Sequence, residues 1–274
     1  VTVALSGDGG DELFGGYTRY QVASRLRALR LLSQPLRVAM AQMISAVPAD
    51  RWSQLLSFIP EGMRPRQVGD KLHKFASVLP CNGDTELYRR LVTHWEPDQV
   101  VLGAHEPKGV LWDPKVDTDF PDLLGRMQFL DLVTYLPDDI LTKVDRASMA
   151  VALEARVPLI DHRVVEFAWR LPQPAKIRGG VTKWLLREVL YRHVPKKLIE
   201  RPKMGFSVPL GEWLRGPLRE WAENLLSEQR LREGGFFDPT AVRQVWSQHL
   251  GGDHNRQYML WNVLMFEAWR DRWG

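Results

Sequence analysis

The opening segment "VTVALSGDGGDELFGGY" constrains this chain more than any other. It runs a short, β-prone apolar stretch, Val1 to Leu5, straight into Gly7, Gly9 and Gly10 and then into a helical pattern beginning at Asp11 or Glu12. Glycines allow positive φ and close backbone approach. A strand, a tight turn and a helix start together offer N–H groups and a positive dipole end to an anion. The same loop nevertheless carries Asp8, Asp11 and Glu12. Bare carboxylates would repel a phosphate by roughly a few kcal/mol at short range. Mg²⁺, a hard ion that bridges carboxylate and phosphate oxygens, removes that conflict. On this stretch alone two readings stay open, a metal–nucleotide loop and a plain Gly-Asp turn.

Val1 to Leu5 is the one convincing strand, and a parallel-type strand needs partners along its edges. Those partners are either weak in sequence or lie in a preceding segment, and the second option is favoured. The missing initiator Met and the abrupt start within a strand point the same way, to a piece of a longer protein. The rest reads as helical. Patterns run from Asp11 or Glu12 to about Leu32, then over Val38–Val47, Arg51–Phe58, Asp84–Thr93 and Leu123–Leu136. Asp138 or Asp139 is expected to cap the next helix, through about Leu153. "EARVPLID" (Glu154 to Asp161) reads as an extended connector, followed by helices Asp161–Leu171, Thr182–His193, Pro209–Leu214, Leu218–Gln229, Pro239–His249 and Asn255–Trp273. Residues Trp95–Pro121 read as irregular. The fold class is therefore predominantly α-helical with one clear strand.

A length of 274 residues and 45% hydrophobic content allow one large domain or two small ones. No run of 18 apolar residues suggests a membrane span, and no signal-peptide pattern precedes the strand. The single cysteine, Cys81, excludes an internal disulfide framework and suits a reducing, cytoplasmic setting. The net charge of +4 is concentrated, because Lys176–Lys203 holds nine Lys/Arg against Glu188 and Glu200. Such a stretch can bind an anion or form a solvated helix face. No nucleic-acid-binding motif accompanies it.

Two further stretches carry chemistry. In "YLPDDILTKVDRASMAVALEARVPLID" (Tyr135 to Asp161), Asp139 and Lys143 stand at helical i,i+4 spacing, Asp145 and Arg146 follow among small residues, and Glu154 and Arg156 project to one side of an extended segment. Surface pairing is the default reading of all of these. In "RPKMGFSVPLGEWLRG" (Arg201 to Gly216), Pro202 and Gly205 bracket Lys203, whose ammonium could offset a developing negative charge. Most loop lysines do no such thing. The seven histidines show no paired metal spacing, and Trp261, Trp269 and Trp273 fall at helical spacing as core or interface.

Taken in order, these three stretches resemble the synthetase domain of glutamine-dependent asparagine synthetases, over essentially the whole chain. Residues 1–274 then read as the C-terminal portion of that domain, without the N-terminal glutaminase domain and without the first phosphate loop, an SGGxDS sequence. The resemblance implies an α/β parent fold of the PP-loop, adenine-nucleotide α-hydrolase-like type. It implies ATP and Mg²⁺ as cofactors and aspartate, ATP and glutamine-derived ammonia as substrates, with amidation passing through β-aspartyl-AMP. It implies nucleotide contacts at Ser6, Gly7, Asp8 and Gly9, a place beside the intermediate for Asp8, a Mg²⁺ ligand in Asp11 and a charge-stabilising lysine in Lys203. Lys143, Asp145, Arg146, Glu154, Arg156 and Gly205 match positions lining the site.

With half the nucleotide site missing, this polypeptide alone is expected to be inactive. Partners are then the missing N-terminal region and a possible second copy, with no membrane or nucleic acid. Two alternatives stand beside this reading. One is an amidotransferase of the same family acting on a sugar acid, a peptide or a β-lactam precursor. The other is a non-catalytic helical interaction module.

Overall fold

The computed structural model describes residues 1–55, 68–105, 108–200, 208–252 and 254–274. The chain divides into two compact units, one of residues 1–31, 82–88 and 108–203, the other of residues 32–81, 89–107 and 204–274. No helix of the described residues is long and apolar enough to cross a membrane.

The first unit holds the sheet. Strand β1 (Val3–Leu5) pairs in parallel with β2 (Glu154–Arg156), with Val3 opposite Glu154 and Leu5 opposite Arg156. A partner for β1 therefore lies within this chain, in the stretch read from sequence as a connector. Three residues interrupted by charge carry no alternation signal, and pairing with β1 is what makes them a strand. In the same unit, Leu13, Phe14 and Ala168 form a buried cluster with Leu132, Val165 and Leu186 packed against it.

The helix expected from Asp11 to Leu32 is broken. Gly10–Phe14 ends at Gly15, whose backbone is left-handed (φ 71°), and Thr18–Ala28 starts afresh. A Cβ on Gly15 would meet Ile177 Cγ1 at 2.9 Å, so the chain must turn there with a glycine. The helix expected over Leu123–Leu136 runs from Leu123 to Val133. Residues Leu136–Leu141 form a π-helical segment that runs on into the helix Thr142–Met149, and neither Asp138 nor Asp139 acts as a cap. Other caps match the reading: Asp161 accepts from Arg163 N (3.0 Å), and a helix starts at Asp84.

The second unit is built on Leu214, Leu226, Trp246, Leu260 and Leu264, all essentially inaccessible. Its helix Val68–Val78 was not foreseen, and in the first unit neither was Pro114–Asp119, which Asp113 caps. In the last helix, Gln257–Trp273, the buried stripe is Leu260, Val263, Leu264 and Glu267, while Trp269 (55% exposed) and Trp273 (69%) face outward. Glu267 is buried because two guanidiniums meet it, Arg230 Nε at 3.3 Å and Arg270 at 2.7 Å.

Candidate functional site

The loop after β1 is held at both ends by backbone. Ser6 N donates to Arg156 O (2.8 Å), continuing the parallel ladder one residue past the strand, and Leu13 N donates to Gly9 O (3.0 Å). Gly9 has φ 79°, and a Cβ there would lie 2.6 Å from Ile160 Cγ2, in the 3-10 turn Pro158–Ile160 that follows β2. The stretch "EARVPLI" thus forms both the neighbouring strand and the wall behind the loop. On the other side Gly7 has no heavy atom within 4 Å of its Cβ position, leaving backbone there open to a ligand.

The three acids of the loop divide into three settings. Asp8 accepts a hydrogen bond from the Ser6 hydroxyl. Asp11 is partly exposed and pairs with Lys183 Nζ at 3.0 Å. Glu12 turns inward, where it is buried and accepts from Tyr17 OH (2.6 Å), and burial raises its pKa. Glu12 belongs to the interior and not to the loop face.

Lys183 is the residue that sequence reasoning passed over, counted in a basic stretch but not singled out. It precedes the helix Trp184–Leu190 with φ 52°, left-handed for a residue with a Cβ, and its N–H donates to Phe14 O (3.2 Å). No local signal points to it, since the ion pair joins segments far apart in the chain. Much of that basic stretch is engaged internally: Lys176 is buried, and Arg178 lies over the Trp184 ring at 4.3 Å.

The other expected site residues are placed as follows. Glu154 and Arg156 project to the same side of β2 and pair with each other (Arg156 Nε to Glu154 Oε1, 2.7 Å), beside the entry to the loop. Lys143 pairs with Asp139 (3.1 Å), a surface i,i+4 bridge as the spacing predicts. Asp145 and Arg146 are exposed on the same helix. Lys203 and Gly205 lie outside the described residues.

Compared with known proteins, the sequence matches the family described as asparagine synthase over residues 1–271. The chain belongs to the asparagine synthase family. Among curated relatives, a Mycobacterium tuberculosis protein provisionally named a glutamine-hydrolysing asparagine synthetase is 35% identical over 280 aligned positions, covering 98% of this chain and 39% of the relative. Glutamine-hydrolysing asparagine synthetase 1 of Bacillus subtilis is 29% identical, covering 98% of this chain and 40% of that protein. A Penicillium rubens protein named amidase chyE is 21% identical over 89% of this chain and 38% of its own length. The chain thus spans about 39% of the length of the asparagine synthetase it most resembles among these three. No solved structure matches it.

Within this asparagine synthase-family chain, the fold is mostly helical with a small parallel sheet, and the loop, β2 and Lys183 all belong to the first unit.

Proposed function

We propose that this chain carries the ATP-using part of an amide-forming ligase, in which a carboxylate is activated as its adenylate and then attacked by ammonia. The aspartate side chain is the preferred carboxylate, and asparagine the product, with ammonia released from glutamine elsewhere in the whole protein. The observation that supports the reading is the pairing of Asp11 with Lys183, whose Nζ lies 3.8 Å from the Cβ position of Gly10, in a loop where Gly7 has no neighbour within 4 Å. An anionic oxygen donor and a cation at one glycine-rich loop suit a phosphate ligand.

The donor set fits Mg²⁺. A partly exposed carboxylate suits an ion that commonly takes one or two carboxylates and completes its shell with phosphate and water. Asp11 would hold it, and the ion supplies charge neutralisation for the departing pyrophosphate. Lys183, with Lys203, offsets negative charge on the phosphates as the α-phosphorus is attacked. Asp8, oriented by the Ser6 hydroxyl, takes a proton from the attacking amine. Glu154 and Arg156, neutralised by each other, line the entry.

The parent PP-loop fold is part of this proposal. A two-stranded sheet is marginal alone, and β1 leaves Leu5 75% exposed. We infer that further strands of the whole protein pair along the free edge of this sheet.

The test is aspartate-dependent exchange of pyrophosphate into ATP by the full-length protein, beside an Asp11→Asn variant of equal thermal stability. Exchange stimulated by aspartate and lost in the variant is the expected result. Undiminished exchange in Asp11→Asn would overturn the role of the loop. Exchange driven by sugar acids or peptides in place of aspartate would move the acceptor to the second reading.

A further inference from the structure

The Lys183 side chain reaches Asp11 along a path that a glycine keeps clear. Its backbone N–H donates to Phe14 O (3.2 Å), which fixes the residue at the C-terminal end of the helix Gly10–Phe14. From there the side chain crosses Gly16, where a Cβ would stand 2.3 Å from Lys183 Cε and 1.8 Å from Asp11 Oδ1. It ends with Nζ 3.0 Å from Asp11 Oδ2 and 3.8 Å from the Cβ position of Gly10. Gly16 is buried and is not left-handed, so its backbone does not call for a glycine. Space for the Asp11–Lys183 pair does. A side chain at position 16 would have to displace the carboxylate, the lysine stem or both.

The backbone of Lys183 points the same way. Its φ of 52° is one that a residue with a Cβ seldom adopts. A partly exposed ion pair does little for stability. Stability therefore does not account for a strained residue and a cleared groove converging on one contact. Both partners keep water access, with side chains 29% and 26% exposed, so the ammonium can leave the carboxylate without unfolding its surroundings.

We propose that Lys183 is a built-in stand-in for a divalent cation, pairing with Asp11 in the nucleotide-free protein and passing to the phosphates when metal and nucleotide bind together. The inference rests on the reading of Asp11 as the carboxylate that holds the metal. A divalent ion arriving alone meets an ammonium already 3.0 Å from the carboxylate oxygen, and the like charges repel. A nucleotide supplies the further anions. Lys183 then exchanges a carboxylate oxygen for a phosphate oxygen, and its charge stays matched throughout. Lys183 is thus a positioning residue that couples the two ligands: it opposes metal on its own and favours metal with nucleotide.

The test measures two affinities of the full-length protein. Binding of Mn²⁺ alone is read from the EPR signal of the free ion. Binding of the non-transferable analogue α,β-methylene-ATP, at saturating Mn²⁺, is read by calorimetry. Lys183→Met keeps the length of the side chain and Lys183→Asn tolerates the left-handed backbone, so a folding defect in one leaves the other. Both should bind Mn²⁺ alone at least about 10-fold tighter than the parent, and the analogue at least about 10-fold more weakly. A merely structural loss would move both affinities in one direction. Adding Asp11→Asn to Lys183→Met should abolish the gain in Mn²⁺ affinity. The inference is overturned if the Lys183 variants bind Mn²⁺ alone no tighter than the parent while the parent binds the analogue in an Mn²⁺- and Asp11-dependent way. It is also overturned if the gain survives Asp11→Asn. Analogue binding by the parent that needs neither Mn²⁺ nor Asp11 would overturn the underlying reading of Asp11, and this inference with it.

Discussion

Asp11 Oδ2 and Lys183 Nζ lie 3.0 Å apart, and the lysine reaches that position from a left-handed backbone (φ 52°). A residue with a Cβ pays about 1–3 kcal/mol for such a conformation, and these outliers gather where a side chain must be aimed. Here the aimed group meets the carboxylate of Asp11.

Lys183→Asn separates the aim from the chemistry. Asparagine tolerates the left-handed region, and a partly exposed ion pair contributes at most about 1 kcal/mol. Thermal melting should place the variant within about 1 kcal/mol of the parent protein. MgATP affinity measured calorimetrically on the full-length protein should drop at least about 10-fold, or about 1.4 kcal/mol. Unchanged affinity would remove Lys183 from phosphate binding.

Two glycines of the loop should respond differently. Gly9→Ala places a Cβ 2.6 Å from Ile160 Cγ2 on a backbone with φ 79°. Its stability cost should exceed about 1 kcal/mol by urea denaturation. Gly7→Ala meets no neighbour and should melt normally, yet it should weaken nucleotide binding because a methyl group then stands where phosphate approaches. If Gly7→Ala binds nucleotide as the parent does, that face of the loop is not the contact.

Asp131 is the buried hub of the first unit. It is inaccessible, accepts from Tyr20 OH and Tyr88 OH (2.5 Å each), and pairs with Arg19 at 2.8 Å. Arg19 in turn lies over the Tyr17 ring, 4.0 Å from its centroid. Asp131→Asn strands the Arg19 charge and should destabilise the protein by about 3 kcal/mol or more, read as a fall in denaturation midpoint. A loss under about 1 kcal/mol would show that the network is solvated in solution.

Lys176 gives the molecule a pH signature. It is buried, donates to Gln128 Oε1 (3.2 Å) and lies over Trp169, 5.0 Å from the ring centroid. Burial lowers its pKa from 10.5 to about 8, against a weaker upward pull from Asp122. Between those two values the unfolded chain binds more protons than the folded one, so this residue's contribution to stability rises with pH across that window. Lys176→Met should therefore stabilise the protein at pH 7, by about 1–3 kcal/mol, and the gain should vanish toward pH 10. A variant that is less stable at pH 7, or whose advantage does not change with pH, would contradict the lowered value.

Local chemistry was legible in the residues themselves. The glycine-rich turn after β1, the Asp161 cap, the start at Asp84, the Asp139–Lys143 bridge and the shared side of Glu154 and Arg156 all stand as spacing and residue type imply. Each of these depends on residues a few positions apart, where periodicity and capping preferences act directly. Sequence comparison likewise matches the family over residues 1–271.

Long-range choices were not legible. Three residues such as Glu154–Arg156 become a strand only because β1 offers them a ladder, and a helix ends at the left-handed Gly15, where Ile177 leaves no room for a Cβ. The last helix buries Glu267 and exposes Trp269, against its apparent apolar stripe, because Arg230 and Arg270 meet that carboxylate. Lys183 opposite Asp11 follows from the same cause. The amino-acid sequence by itself determined the loop, most of the helices and the family. The tertiary structure alone decided which charges face each other, because strand pairing and ion pairing are settled by what the folded chain brings within a few ångströms, a distance that spacing along the chain does not encode.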